Sequence, residues 1–79
     1  MKNKYSVTTL RAAGLEARWT RNSRGAPIIV ARDPQAKLDH QRKTWWAVGK
    51  SMWDEMTKVG VREGFDNCTL LGDIFSIPA

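Results

Sequence analysis

The sequence holds few side chains that do nucleophilic or acid–base chemistry. His40 is its only histidine and Cys68 its only cysteine. General acid–base catalysis needs a positioned partner group, and a reactive thiol needs an electropositive setting with a base nearby. Neither residue has such neighbours in the sequence, and two candidate ligands are fewer than a metal site takes. We therefore predict no catalytic residue, no metal site, no cofactor and no enzymatic activity.

Arginine is the residue type whose distribution indicates a function. The 79-residue chain has a formal net charge of +5, but residues 1–43 hold ten basic and three acidic residues, for a net charge of +7. Arginine binds carboxylates and phosphates through a planar fork of donors. This charge predicts an acidic protein surface, a nucleoprotein complex or nucleic acid as partner, with a general bias towards solubility as the alternative. The candidate binding residues on and around a predicted hairpin are Arg18, Arg21, Arg24 and Arg32.

Four tryptophans are many for a chain of this length. Trp46 and Trp53 are one heptad apart on the shoulder of a predicted helix, and arginine and aromatic side chains together stack on bases or anchor protein interfaces. Alternatively, both rings cover the edge of a sheet beneath the stems of the basic side chains. Trp19 and Trp45 are predicted to lie in the core. The basic residues around this second candidate site are Arg42, Lys43 and Lys50.

One long helix is predicted from Leu38 to Gly60. At about 100° per residue, the apolar residues from Trp45 onward fall on one arc, and the charged residues fall on the other side. Gly60 followed by an apolar residue is a typical helix end. Residues 61–68, with their turn-forming glycine, aspartate and asparagine, are predicted to form a loop.

A β-hairpin is predicted ahead of this helix, because apolar residues alternate with polar ones on both sides of a turn at 22–25. With that loop, Trp19 faces Ile28 and Ala17 faces Val30, and both strands place their apolar residues on one face.

The two ends of the chain carry weaker patterns. Residues 6–13 have two interpretations, either a short helix capped by Ser6 and ended by Gly14, or a strand; the helix-forming residues before Gly14 favour the helix. Residues 69–77 are predicted to form a final strand, which Gly72 and Asp73 interrupt.

These elements predict a small α+β fold that forms a single domain over residues 1–79. Its three- or four-stranded, mostly antiparallel sheet carries one long amphipathic helix on one face and has a short N-terminal helix. The other face of the sheet is left for solvent or for a partner. The pattern does not distinguish a monomer from a homodimer.

The sequence also predicts a cytoplasmic protein. A single cysteine rules out an intramolecular disulfide, which fits a reducing compartment. The first ten residues lack the apolar stretch of a signal peptide, and no run approaches the ~20 apolar residues of a membrane span.

In size and layout, with a hairpin, one tryptophan- and methionine-rich helix and the closing stretch LLGDIFSIP, the chain resembles the small phage proteins that block host machinery, the anti-CRISPR proteins among them. The resemblance carries no residue over. It implies a protein-binding inhibitor, acting in the host cytoplasm, that blocks a nucleic-acid-handling complex by occluding its surface. The alternative is a protein that binds DNA or RNA directly through the basic hairpin and the helix start.

Overall fold

The structure is a computed structural model that describes residues 4–70. Three strands form an antiparallel sheet in the spatial order β1-β2-β3. The strands are β1 (Glu16–Arg21), β2 (Pro27–Arg32) and β3 (Trp46–Val48). The helices of the described range are α1 (Val7–Ala12), α2 (Asp39–Lys43), α3 (Lys50–Met56) and α4 (Val61–Leu70). The predicted small α+β fold with an antiparallel sheet is confirmed.

The short N-terminal helix is also confirmed. The Ser6 side chain caps α1 by accepting a hydrogen bond from the Thr9 N–H at 3.3 Å, as serine does at helix starts. Gly14 follows the helix with a φ of 91°, a conformation that glycine adopts without strain. The turn there returns the chain so that the Leu15 N–H bonds the Leu10 carbonyl at 3.1 Å.

The hairpin is confirmed, but its predicted register is wrong by one residue. Trp19 pairs with Ile29 and not with Ile28, and Ala17 pairs with Ala31. The loop closes later because the Asn22 N–H bonds the Ala26 carbonyl at 2.9 Å, while the Asn22 side chain accepts from two backbone N–H groups of the turn. Ile29 thereby enters the core in place of Ile28.

The predicted long helix from residue 38 to residue 60 is wrong. Helix α2 ends at Lys43, Thr44 is extended with φ −98° and ψ 133°, and strand β3 separates α2 from α3. The stretch from Thr44 to Val48 consists mainly of β-branched and aromatic residues, which favour strands. Pairing of β3 with Ile29, Val30 and Ala31 outweighs the helical periodicity.

The predicted loop over residues 61–68 is a helix, α4. The sequence predicts a turn at Gly64, but this glycine lies inside α4, at the point where α4 crosses α3 closely. A Cβ on Gly64 would lie 2.5 Å from the Met56 carbonyl carbon. The predicted final strand loses Thr69 and Leu70 to α4, and its remaining residues, 71–77, lie outside the described range.

The core lies between one face of the sheet, here called the core face, and helices α1, α3 and α4. Met52 and Met56 are buried in it, as predicted. The prediction for the tryptophans is wrong, because Trp46 and Trp53 lie in the core where the sequence predicts Trp19 and Trp45. Trp46 and Trp53 are 2% and 3% exposed, whereas Trp19 is 51% exposed and Trp45 is half-buried. The core-face residues are Ala17, Ile29, Ala31, Trp46 and Val48.

Candidate partner-binding site

The second face of the sheet, here called the outer face, carries Arg18, Arg32 and Trp45. Side chains alternate along a strand, so residues adjacent to core-face positions point to this side. Arg18 pairs with Val30 in the hairpin register, and Trp45 directly precedes the core residue Trp46. None of these outer-face residues belongs to the core cluster that joins the sheet to the helices.

Two arginines lie close to the ring of Trp45 on this outer face. The guanidinium carbon of Arg18 is 4.5 Å from the centre of the Trp45 ring, and that of Arg32 is 4.7 Å away. Both distances are within the range of cation–π attraction. A stacked guanidinium keeps N–H donors at its rim, where they remain able to bind a carboxylate or a phosphate.

Glu16 sets the position of one of these arginines. Its carboxylate accepts a hydrogen bond from Arg32 Nε at 2.7 Å across the β1–β2 pair. Arg32 is therefore fixed by an ion pair and by the Trp45 ring, while Arg18 is exposed. The outer face presents a net positive charge on side chains whose positions are largely preset.

Arg21 and Arg24 lie at the tip of the hairpin. Arg21 Nη1 donates to the Gly25 carbonyl at 2.8 Å, which holds its side chain along the turn. Both arginines are exposed. Together with the outer face, they make the hairpin the main concentration of exposed arginines in the described range, as the sequence predicts.

The residues of the second candidate site, on the predicted long helix, are not brought together in this way. Trp46 and Trp53 are buried, which favours the interpretation that these rings pack and do not bind. The Arg42 guanidinium donates to the Ala36 and Lys37 carbonyls at 2.7 and 2.8 Å and pairs with Asp39, so it braces the loop before α2.

Two lysines of the second candidate site are exposed but lie on different helices. Lys43, on α2, is 3.9 Å from an Asp39 oxygen. Lys50, at the start of α3, lies 5.8 Å from the centre of the Tyr5 ring. Tyr5 in turn donates a hydrogen bond to the Val48 carbonyl and packs edge-on against Trp53.

The sequence interpretation missed Trp45 and Trp19 as surface residues. The sequence signal for a strand is the run of β-branched and aromatic residues from Thr44 to Val48, in which Trp46 and Val48 are buried and Trp45 and Ala47 are half-buried in the structure. A period of two predicts a strand with Trp45 and Trp46 on opposite faces. The longer helical pattern concealed this short one.

An acidic pair, the buried Asp33 and the partly buried Asp66, connects α4 to the end of β2. Asp33 is fully buried; burial raises its pKa, but hydrogen bonds from Asp66, the Gln35 N–H and Arg62 outweigh that effect and hold the pKa below its usual value. Burial and the nearby Asp33 carboxylate raise the pKa of Asp66 to about 6, although Arg62 opposes this shift. When Asp66 is protonated, its O–H is a donor for the ionised Asp33 carboxylate.

Neither His40 nor Cys68 has the surroundings of a catalytic group. His40 Nε2 lies 3.1 Å from the Thr69 carbonyl oxygen, which ties the start of α2 to α4. Burial, assisted by the charge of Glu55, raises the pKa of the Cys68 thiol, the opposite of the change that makes a thiol reactive.

Within residues 4–70, no group of three or more histidine, cysteine or acidic side chains is placed to hold a metal ion. No helix of that range is both long enough and apolar enough to cross a membrane. In comparisons with protein-family models, curated proteins and solved structures, the chain has no match, so no relative's site can be carried over to it.

Proposed function

We propose that this protein is a non-enzymatic binding module whose outer face docks on an acidic surface of a partner protein. The observation that carries the proposal is the stacking of Arg18 and Arg32 on Trp45, on a sheet face outside the core. Tryptophan and arginine are the residue types most enriched among those that dominate interface energies.

Preset geometry supports this use of the arginines. Each flexible side chain that an interface must immobilise costs about 0.5–1.5 kcal/mol of ordering. Arg32 is already fixed by Glu16 and Trp45, so little of this ordering cost would fall on binding. Bidentate pairing with partner carboxylates is the arrangement that the guanidinium rim suits best.

On the outer face, the state of the aromatic rings favours acidic protein over nucleic acid; the exposed ring of Trp19 lies on the opposite side of the sheet. Binding of single strands uses open aromatic faces on which bases stack. Trp46 and Trp53 are buried, and the Trp45 ring has guanidiniums 4.5 and 4.7 Å from its centre. The outer face thus offers donors for carboxylates more readily than platforms for bases.

The resemblance to anti-CRISPR proteins extends the proposal to the kind of partner. A chain of 79 residues that covers an acidic patch of a nucleic-acid-handling complex would inhibit it by occlusion. Its positive charge suits a protein surface and not the imitation of DNA.

Binding of a labelled oligoglutamate peptide at about 0.15 M salt, followed by fluorescence anisotropy, tests the proposal. The double variant Arg18→Glu/Arg32→Glu is expected to bind at least about tenfold more weakly than the wild type, because two favourable pairs become repulsive. The matched control Lys37→Glu/Lys58→Glu makes the same change in net charge at exposed positions off the outer face and is expected to bind within about threefold of the wild type.

Three results would overturn the proposal. Equal weakening by both double variants would make the attraction a property of net charge alone. Binding that survives the outer-face variant would place the site elsewhere. Tighter binding of a single-stranded oligonucleotide than of the peptide at the same salt would assign the surface to nucleic acid.

A further inference from the structure

In the part of the chain that the structure describes, strand β1 is an edge strand with an open side. It is the first strand in the order β1-β2-β3, and no other strand of residues 4–70 pairs with its outer edge. Helix α1 covers only its beginning, where Arg11 Nε and Nη2 donate to the Ala17 carbonyl at 3.2 and 2.8 Å. The four side chains that follow, from Arg18 to Arg21, are all exposed.

The backbone groups along this edge can be assigned from the hairpin pattern. Antiparallel pairs alternate between residues that bond each other and residues whose N–H and C=O point away. The Asn22 N–H donates to the Ala26 carbonyl. Every second residue before Asn22 therefore also turns its N–H and C=O groups towards β2, so Thr20 and Arg18 form hydrogen bonds with Ile28 and Val30.

Trp19 and Arg21 therefore direct their N–H and C=O groups outward. The bond from Arg11 to the Ala17 carbonyl agrees with this alternation, because Ala17 precedes them in the outward series. The open edge thus offers two donors and two acceptors, in the spacing that an added strand requires.

The side chains along the edge specify the occupant. Arg18 lies on the outer face, next to the charged surface described above, while Trp19 points to the other side and is 51% exposed. A strand that pairs here would match acidic side chains to Arg18 and apolar side chains to Trp19. An alternating acidic and apolar segment satisfies both faces.

We propose that the edge of β1 from Arg18 to Arg21 receives an extended, acidic segment of the partner protein as a fourth strand of the sheet. This inference rests on the proposed function and names how the acidic partner is bound. A second copy of the chain fits less well, because pairing two hairpins would bring together both copies of three exposed arginines: Arg18, Arg21 and Arg24.

Backbone methylation of a model peptide separates strand addition from simple charge attraction. The probe is a peptide of about ten residues that alternates glutamate and valine, long enough for a typical strand. In an antiparallel pair with glutamates beside Arg18, the valines lie opposite Trp19 and Arg21, and their N–H groups face β1. Methylating the valine nitrogens is expected to weaken binding at least about tenfold, since donors facing the edge are lost.

Methylating the glutamate nitrogens is the matched control, because it removes the same number of donors from the far side of the peptide and keeps every charge. This peptide is expected to bind within about twofold of the parent. Amide hydrogen exchange in the parent complex gives a second readout, with slowed exchange expected at Trp19 and Arg21.

The outcomes separate the two proposals. Equal binding of both methylated peptides, with unchanged exchange at Trp19 and Arg21, would overturn strand addition and leave an acidic partner on the outer face. No binding of any peptide, including oligoglutamate, would overturn both proposals. A free protein that sediments as a dimer with those two amides protected would give the edge to a second copy.

Discussion

Raising the pH from about 5 to 7.5 is expected to destabilise this fold through Asp66. Its pKa is raised from 3.8 to about 6 by burial and by Asp33. A group whose folded pKa is raised contributes stability that is fully present below the unfolded value and is lost as pH rises through the folded value. The loss therefore begins at about pH 4 and is nearly complete just above pH 6.

Asp33 has the opposite dependence. Its folded pKa is lowered, so its contribution is present above the unfolded value near 3.8 and is lost as pH falls below it. The two carboxyls together predict greatest stability at about pH 4, where the Asp33 contribution is nearly complete and the Asp66 contribution is only beginning to be lost.

The size of the effect follows from the change in pKa. A rise from 3.8 to about 6 corresponds to at most about 3 kcal/mol. About half of this loss, at most about 1.4 kcal/mol, falls between pH 5 and 7.5. Asp66 is only partly buried, so solvent screening reduces it to about 0.5–1 kcal/mol. For a chain of this size, the urea midpoint should fall by about 0.5–1 M between pH 5 and 7.5.

Urea unfolding at a series of pH values, followed by tryptophan fluorescence, measures this loss. Asp66→Asn keeps a donor to Asp33 and has no proton to lose, so its stability should be nearly flat from pH 5 to 7.5. Asp54→Asn, at an exposed acid on α3, should keep the wild-type slope. All three proteins also carry His40→Gln. His40 contacts the Thr69 carbonyl of α4, the helix that holds Asp66, and this substitution removes any contribution of His40 to the pH dependence. A wild-type slope in Asp66→Asn would refute the reasoning.

Two further predictions concern packing. Gly64→Ala should cost more than about 3 kcal/mol in urea unfolding, because its Cβ overlaps the Met56 backbone, whereas Gly49→Ala, with open space around it, should cost less than about 1 kcal/mol. Trp46→Ala should lower the free energy of unfolding by about 3–5 kcal/mol, and Trp45→Ala should lower it by at least about 2 kcal/mol less. Only Trp45→Ala should weaken peptide binding without a comparable loss of stability. Equal costs within either pair would contradict the packing described above.

Local sequence signals were sufficient to predict α1 and the hairpin, because in each of them one short segment determines its own conformation. The Ser6 cap and the glycine after α1 are chemical features of single residues, and the turn-rich stretch after Arg21 marks the hairpin. The register was not accessible in the same way, because it depends on the Asn22 side chain closing the loop one residue later than the turn composition indicates.

The middle of the chain could not be predicted from periodicity, because two patterns overlap there. Residues 45–60 satisfy a helical arc, and Met52 and Met56 lie on its buried side in α3 as expected. The five residues from Thr44 to Val48 also satisfy a strand, and only the partner strand β2 decides between the two. A pairing with residues about 17 positions earlier leaves no local signal.

The same ambiguity determined which tryptophans were assigned to the surface. In a helix, adjacent residues are about 100° apart, so Trp45 and Trp46 share one side; in a strand they point to opposite faces. Once β3 is a strand, Trp46 must enter the core, and Trp45 must join Arg18 and Arg32 outside it. The arginines of the hairpin were assigned correctly as a concentrated charge, but their aromatic partner emerges only from the strand pairing that defines the sheet.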